Sequence, residues 1–379
     1  MSAVAKALAV LRREGPRAVL RRAVRSLGHR LDVGSLDEPL LDSDIADSTR
    51  LELRRPTQHT GPGEPLDIGW ITVPPRAGSG GHTTLFRMVE AVEAAGHRCH
   101  LFLYDRYGGD VSAQTDVIRS WWPTLRAQVH DARDGISGVD AIVASGWETA
   151  HVAARRAASP MRYLYFIQDY EPFFYPRGSE YSLAEDSYRF GFRNVALGDM
   201  VGDLLRSEAG VPAEVTEFGC DTAVYRPLEG SRRTGVVLYA RPDVPRRGFW
   251  LAKLALQEFH RRHPDVDIHV YGSVVRDLGF PATQHGRLPP AELNALYNRC
   301  IAGIAMSFTN ISLVAEEMLA AGTIPVVNDS PHSRADLIND NVAWAPPTPG
   351  GIASALSGVI TRADASAPAR AAASVRPFA

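Results

Sequence analysis

Ser307 to Asn328 reads SFTNISLVAEEMLAAGTIPVVN. An apolar run at Ile301–Met306 leads into it as a strand, and a polar turn follows at Thr309, Asn310 and Ile311. A helix is then expected from Ser312 to Ala321, and a further strand at Ile324–Val327. Strand, polar turn, helix, strand is the repeating unit of a parallel sheet covered on both faces. Amides at the start of such a helix have no partner within it, and the helix dipole favours negative charge there, so a diphosphate fits at Asn310–Ser312. Glu316 and Glu317 lie one turn further in. One of them is placed to accept hydrogen bonds from ribose hydroxyls; a surface acid on an amphipathic helix accounts for the other.

Outward from this stretch the alternation continues. Upstream, after Pro227, come a strand at Val236–Ala240, a helix at Phe249–His263, a strand at Val266–Tyr271 and a helix near Ala291–Arg299. An earlier α/β unit begins with a strand at Ile68–Val73, a glycine-rich turn and a helix from about Thr83 to Ala95. Its further strands are Cys99–Tyr104, Ala141–Ala144, Tyr163–Ile167 and Val195–Leu197. The predicted class is α/β, with two Rossmann-like domains facing a cleft at the carboxyl ends of their strands. The expected boundaries are residues 61–227 and 228–362.

The flanks differ. Lys6, Arg12, Arg13, Arg17, Arg21, Arg22, Arg25 and Arg30 are opposed only by Glu14, with Val4, Leu8, Leu11, Leu20, Val24 and Leu27 at helical spacing between them. Gly15-Pro16 divides this segment into two short basic amphipathic helices, which either lie on an anionic membrane surface or pack on the body of the protein. An acidic, polar stretch then reads as a linker to about residue 60, completing an N-terminal segment of residues 1–60. Residues 363–379, rich in Ala, Ser, Pro and Arg, read as a poorly ordered tail.

The chain of 379 residues has a formal net charge of -2, which argues against nucleic acid as the main partner. Its three cysteines, Cys99, Cys220 and Cys300, are far apart, as expected in a reducing compartment. There is no apolar run of spanning length and no signal-peptide pattern. A cytoplasmic location is expected, with peripheral contact at the inner face of the membrane as the role for the basic segment.

Several residues carry chemistry. In Gly78-Ser79-Gly80-Gly81-His82, Gly80 and Gly81 let a ligand approach the backbone closely, although Thr83 replaces the third glycine of a dinucleotide fingerprint. Three arginines stand at strand ends or loops: Arg241, Arg247 and Arg287. Each alone reads as a solvated surface charge. A strand of the first unit ends in Gln168-Asp169-Tyr170-Glu171, and Tyr170, Phe173, Phe174, Tyr175, Tyr181 and Tyr188 offer rings for stacking on a sugar or for core packing. Asp265-Val266-Asp267 has the form of a metal-binding pair, but strand alternation already accounts for it. No His/Cys cluster suggests another metal, so no metal and no cofactor are expected.

The stretch around Glu317 resembles the donor-binding signature of the retaining glycosyltransferases of family 4, which have the GT-B fold. There a Glu-x7-Glu pattern precedes small residues, a glycine and Pro-Val-Val. Counted back from Gly322, Glu317 matches the second glutamate and Thr309 takes the place of the first. Leu238-Tyr239-Ala240-Arg241 with Arg246-Arg247-Gly248 resembles the family's strand-Arg and Lys-Gly pair, and His285-Gly286-Arg287-Leu288 the loop near the nucleotide. Ser145-Gly146-Trp147-Glu148-Thr149 and the run from Gln168 to Tyr175 are similar to bacterial rhamnosyltransferases typified by WsaF.

The resemblance covers roughly residues 66–350. It implies a retaining transferase whose donor is a nucleotide sugar, dTDP-rhamnose, and whose acceptor is a glycan or lipid-linked glycan of a surface polysaccharide. It assigns catalytic roles to Asp169, Tyr170 and Arg241. Donor contacts fall to Gly80, Gly81, His82, Gln168, Arg247, Arg287, Thr309, Asn310, Ile311, Ser312, Glu316 and Glu317, and acceptor contacts to Tyr170, Glu171, Phe173, Phe174 and Tyr175. A sugar-nucleotide epimerase of the same fold and a non-catalytic glycan-binding protein are the alternatives.

Overall fold

A computed structural model describes residues 38–57, 61, 63–217, 219–311, 313–362, 366–375 and 377. The expected basic helices and Ser312 lie outside the described residues. Two compact units result. Described residues of the small one are 38–45 and 106–109; it holds a short helical turn at Asp42–Asp44 and an Arg106–Glu38 ion pair. The large unit, Ala46–Asp105 with Asp110–Ala379, contains two separate sheets.

The first sheet has strands β1 (Asp67–Thr72), β2 (Arg98–Leu103), β3 (Gln128–Asp131), β4 (Ala141–Ala144), β5 (Arg162–Ile167), β6 (Arg193–Leu197) and β7 (Glu214–Thr216). They are all parallel, in the order β3-β2-β1-β4-β5-β6-β7. Its helices are α1 (Gly80–Ala94), α2 (Val111–Trp121), α3 (Trp147–Arg156), α4 (Ser179–Ser187) and α5 (Asp199–Leu204). The second sheet has strands β8 (Gly235–Ala240), β9 (Ile268–Gly272), β10 (Thr283–Gly286), β11 (Cys300–Ile304), β12 (Ile324–Asn328) and β13 (Ala343–Ala345). These too are parallel, in the order β10-β9-β8-β11-β12-β13. Its helices are α6 (Phe249–Arg262), α7 (Pro290–Arg299), α8 (Leu313–Ala320), α9 (Pro331–Asp336), α10 (Pro349–Thr361) and α11 (Ala367–Ala373).

Strands covered on both faces need apolar residues at consecutive positions. All four residues of β4 are buried, as are the first four of β8. Successive residues of β8 serve opposite layers: Val236 and Leu238 join Phe259 and Leu356 on the α6/α10 side, and Val237 joins Tyr297 and Met318 on the α7/α8 side.

Four sequence expectations need correction. Helix α1 starts at Gly80 rather than Thr83, so Gly80, Gly81 and His82 form its first turn. Strand β9 starts at Ile268, leaving Asp265, Val266 and Asp267 ahead of it. The expected linker is tied down from Ala46 onward: Ala46 N donates to His151 Nδ1 (3.0 Å), Ser48 N to Asp186 Oδ2 (3.0 Å) and Arg55 to Gly191 O (2.6 Å). Its polar side chains find partners on the first sheet's helices and loops. The tail contains α11, because alanine is a strong helix former and Ala371 buries against the α7/α8 layer.

Candidate functional site

In both sheets the strand order reverses beside the first strand, at β1/β4 and at β8/β11. In such sheets ligands bind at this point, beyond the carboxyl ends of the strands. Gly80 opens α1 after β1, and the loops holding Gly146 and Gln168 follow β4 and β5. Those holding Arg241, Arg287 and Thr309 follow β8, β10 and β11.

Direct bonds join the two sets. Asp169 Oδ2 accepts from Thr309 Oγ1 (2.7 Å) and Asp169 Oδ1 from Asn310 N (3.0 Å). Asn310 Nδ2 donates back to Gln168 O (2.7 Å). All of Asp169, Thr309, Asn310 and Ile311 are buried. The turn is also pinned within its own sheet: Ser307 N donates to Asn328 Oδ1 (2.9 Å), and Asn328 Nδ2 to Ser307 O (2.7 Å).

Arg247 supports the same turn. Its Nη1 donates to Ser307 Oγ (2.8 Å) and to Asn310 O (3.3 Å), and burial followed by the neighbouring Arg246 pushes its pKa down to about 10. Gly248 is required beside it, since its φ is +63° and a β-carbon would stand 2.8 Å from the Phe308 ring. Arg241, just beyond β8, is half-buried and donates to Tyr239 OH (3.2 Å) and to both oxygens of Asp243 (3.2 and 3.3 Å). Arg287 is exposed and reaches across to Ala77 O (3.1 Å), next to the glycine turn.

Glu317 sits in α8, half-buried. Burial raises its pKa to about 7, against the nearby Arg87 charge and a hydrogen bond from Tyr225, which lower it. Arg87, on α1, pairs with Asp221 at 3.0 Å. Glu316, its neighbour on α8, is likewise half-buried.

On the first sheet's side, a β-carbon on Gly81 would lie 3.9 Å from Gln168 Oε1, so the glycine turn and Gln168 are neighbours. His82 has both ring nitrogens engaged, with Ser79 Oγ (2.8 Å) and Val73 O (3.0 Å), and burial lowers its pKa. Glu171 Oε2 accepts from Trp147 N (2.6 Å) and Tyr165 OH (2.8 Å). Glu148 faces the same point: a β-carbon on Gly146 would lie 3.2 Å from Glu148 Oε2 and 3.4 Å from Glu171 Oε1. Burial, and for Glu171 the Glu148 charge, raise both carboxyls, Glu148 to about 7.

Tyr170 is fully buried, edge-on to Phe173 and tilted against Tyr188, with its hydroxyl 3.4 Å from Glu185 Oε1. Tyr170, Tyr181 and Tyr188 are thus core residues, and their rings are closed to a sugar. Phe173, Phe174 and Tyr175 are half-buried. Sequence reasoning passed over Arg246, whose guanidinium lies 3.9 Å from the centroid of the Phe174 ring and whose Nε is 3.8 Å from Asp169 Oδ2. The signal was present in the Arg246-Arg247-Gly248 run, but the pairing across the sheets was not. Asp265 and Asp267 lie ahead of β9, at the amino end of the second sheet, away from Arg241. No group of three or more His, Cys, Asp or Glu among the described residues is arranged to hold a metal, and no helix among them is long and apolar enough to cross a membrane.

Comparisons with known proteins agree with this architecture. Residues 234–357 match the WsaF C-terminal domain and residues 126–199 the WsaF N-terminal domain, together just over half of the chain. The chain is 28% identical over 299 residues to the O-antigen biosynthesis protein RfbC of Myxococcus xanthus, a match over 73% of this chain and 23% of RfbC. It therefore spans about a quarter of the length of that relative.

Among solved structures, a glycosyltransferase from Rickettsia africae superposes with a TM-score of 0.57 at 12% identity, over 82% of this chain and 92% of that one. Anabaena Alr3699/HepE in complex with UDP and glucose gives 0.56 at 15%, over 82% and 93%. The catalytic domain of starch synthase IV from Arabidopsis thaliana, bound to ADP and acarbose, gives 0.56 at 12%, over 83% and 96%. At such identities the superpositions establish the fold, which is GT-B. With both of its domains matched by the WsaF domains, the chain belongs to the WsaF family and has the GT-B fold.

Proposed function

We propose that the protein transfers a sugar from a nucleotide diphosphate carrier to a growing surface glycan, as part of polysaccharide assembly of the O-antigen kind. The observation that carries this reading is the arrangement at the carboxyl end of the second sheet. Arg247 bonds to the buried turn ahead of α8, Arg241 follows the strand β8 that pairs with β11, and Glu317 lies within α8. Two guanidinium groups stabilise charge developing on a departing diphosphate, and a carboxylate accepts a hydroxyl of the nucleotide's pentose. Arg287 supplies a third cation at the rim. Neighbours of the same fold bind UDP or ADP, which supports a nucleotide at this position.

The proposed donor is dTDP-rhamnose, the proposed outcome is retention of anomeric configuration, and no metal takes part. Gly80, Gly81 and Gln168 border the donor from the first sheet; Phe173, Phe174 and Tyr175 present rings to the acceptor. The proposed site of action is the cytoplasmic face of the membrane, with residues 1–30 contacting lipid. Liposome binding lost on their deletion, with turnover of a soluble acceptor retained, is the expected result.

The test is a panel of dTDP-, UDP- and GDP-sugars assayed for binding and transfer, with and without chelator, and with NMR of the product's anomeric centre. Transfer from dTDP-rhamnose with retention, undiminished by chelator, is expected. Altered donor in the absence of acceptor identifies an epimerase instead.

A further inference from the structure

Asp169 is placed to act by holding other groups. Both of its oxygens are bound to donors on one turn of the opposite sheet, Thr309 Oγ1 at 2.7 Å and Asn310 N at 3.0 Å, and the residue is 7% exposed. Each carboxylate oxygen is thereby engaged with the turn, one by a side-chain hydroxyl and one by a backbone amide. The same two bonds hold a turn in one geometry. Arg246 adds to them from the loop after β8. Its guanidinium lies on the face of Phe174, 3.9 Å from the ring centroid, with Nε 3.8 Å from Asp169 Oδ2. Asn310 Nδ2 returns a bond to Gln168 O, so backbone and side chain of the first sheet both take part.

What the turn carries makes the clasp consequential. Arg247 Nη1 bonds to Ser307 Oγ and to Asn310 O. Displacing Asn310 therefore displaces Arg247. The geometry points to Asp169, with Arg246, as a positioning residue that locks the Ser307–Asn310 turn and Arg247 to the first sheet, fixing the diphosphate relative to an acceptor hydroxyl. This inference rests on the glycosyl-transfer reading above. A shift of about 1 Å in such an alignment is worth roughly 100-fold in rate, whereas binding of a nucleotide to one sheet alone does not require it.

The experiment uses the full chain and four variants: Asp169→Asn, Thr309→Val, the double variant, and Thr309→Ser. Affinity for dTDP and UDP is measured by calorimetry, and kcat and KM by transfer from the donor that the wild type uses. Asp169→Asn and Thr309→Val are each expected to lower kcat about 10- to 100-fold while leaving nucleotide Kd within about twofold. The double variant falls no more than about threefold below the worse single one, because the two residues form one contact. Thr309→Ser, which keeps the hydroxyl, retains most of the activity. Loss of turnover in Asp169→Asn with wild-type turnover in Thr309→Val overturns the inference, since Asp169 then acts on the reacting atoms directly. Failure of the wild type itself to bind any nucleotide or transfer any sugar overturns the glycosyl-transfer reading instead.

Discussion

Asp169 and Thr309 are 140 residues apart in sequence, and the hydrogen bond between their side chains, at 2.7 Å, joins the two sheets. Thr309 stands where the resemblance to family 4 places a glutamate. With Asp169 opposite, an acid at 309 would set two carboxylates against each other in a buried position. The hydroxyl is thus the complement that Asp169 requires.

Thr309→Glu is accordingly expected to destabilise the protein by about 3–5 kcal/mol at neutral pH, the scale of an uncompensated buried charge. Adding Asp169→Asn, which removes the opposing charge, recovers a large part of that loss. Thermal denaturation of the two single variants and the double one measures the coupling. An additive double variant shows that the two side chains do not repel.

Arg241 and Arg247 are expected to fail in different ways. Arg241 is partly exposed and held by Asp243 and Tyr239, so Arg241→Ala leaves the fold intact. It should cost roughly 2–4 kcal/mol of transition-state stabilisation, by analogy with a lost oxyanion donor. Arg247 also carries the turn through Ser307 and Asn310, so Arg247→Ala should lower both nucleotide affinity and melting temperature. Calorimetry with dTDP, transfer kinetics and melting curves on the same samples separate the two patterns.

Much of this arrangement was legible in the sequence, because parallel strands announce themselves as short apolar runs followed by turns. β4 and β12, Arg241 directly after β8 and Glu317 in the helix ahead of β12 follow from that pattern. The short edge strands β3, β7, β10 and β13 did not stand out, since edge strands are short and mostly half-exposed. Local pattern left Tyr170 open between stacking on a sugar and core packing, and the chain turns it inward onto Tyr188 and Phe173. The Asp169–Thr309 bond and the Arg246–Phe174 contact were invisible for a simpler reason. Which loops meet across two sheets is fixed by tertiary packing, and residues 140 apart carry no local trace of one another.

Glu317 gives nucleotide binding a pH dependence of definite sign. Its carboxyl is raised to about 7 by burial, so at neutral pH it is about half protonated in the free protein. The 3′-hydroxyl of the nucleotide's deoxyribose donates best to the ionised form. Affinity for dTDP should therefore increase as pH rises through 7 and level off above it, with a proton released on binding below that point. Calorimetry in buffers of different ionisation heat detects the proton. Glu317→Gln should flatten the profile and weaken binding by about 1.5–3 kcal/mol. A profile that is level in the wild type removes Glu317 from the nucleotide site.

Glu148 and Glu171 predict a stability effect of the opposite sense. Burial raises both carboxyls above their ordinary 4.5, Glu148 to about 7, and the Glu148 charge adds to the rise of Glu171. A carboxyl whose pKa is higher in the folded than in the unfolded state binds its proton more tightly when folded. Its stabilising contribution is full below about 4.5 and is lost as pH rises through 7. Glu171 accepts from Trp147 N and Tyr165 OH, so its ionised form is the better supported of the two, and Glu148 is the natural holder of the proton. Glu148→Gln imitates that protonated state at every pH. The wild type should lose stability between pH 5 and 8 relative to this variant, by on the order of 2 kcal/mol at pH 8. The comparison is made between the two proteins at each pH, because Glu317 and Asp336, also raised, contribute equally to both profiles. Denaturant unfolding at pH 5, 6.5 and 8 measures the gap. If it stays constant across that range, the pair does not share a proton, and the two carboxyls titrate like ordinary surface acids.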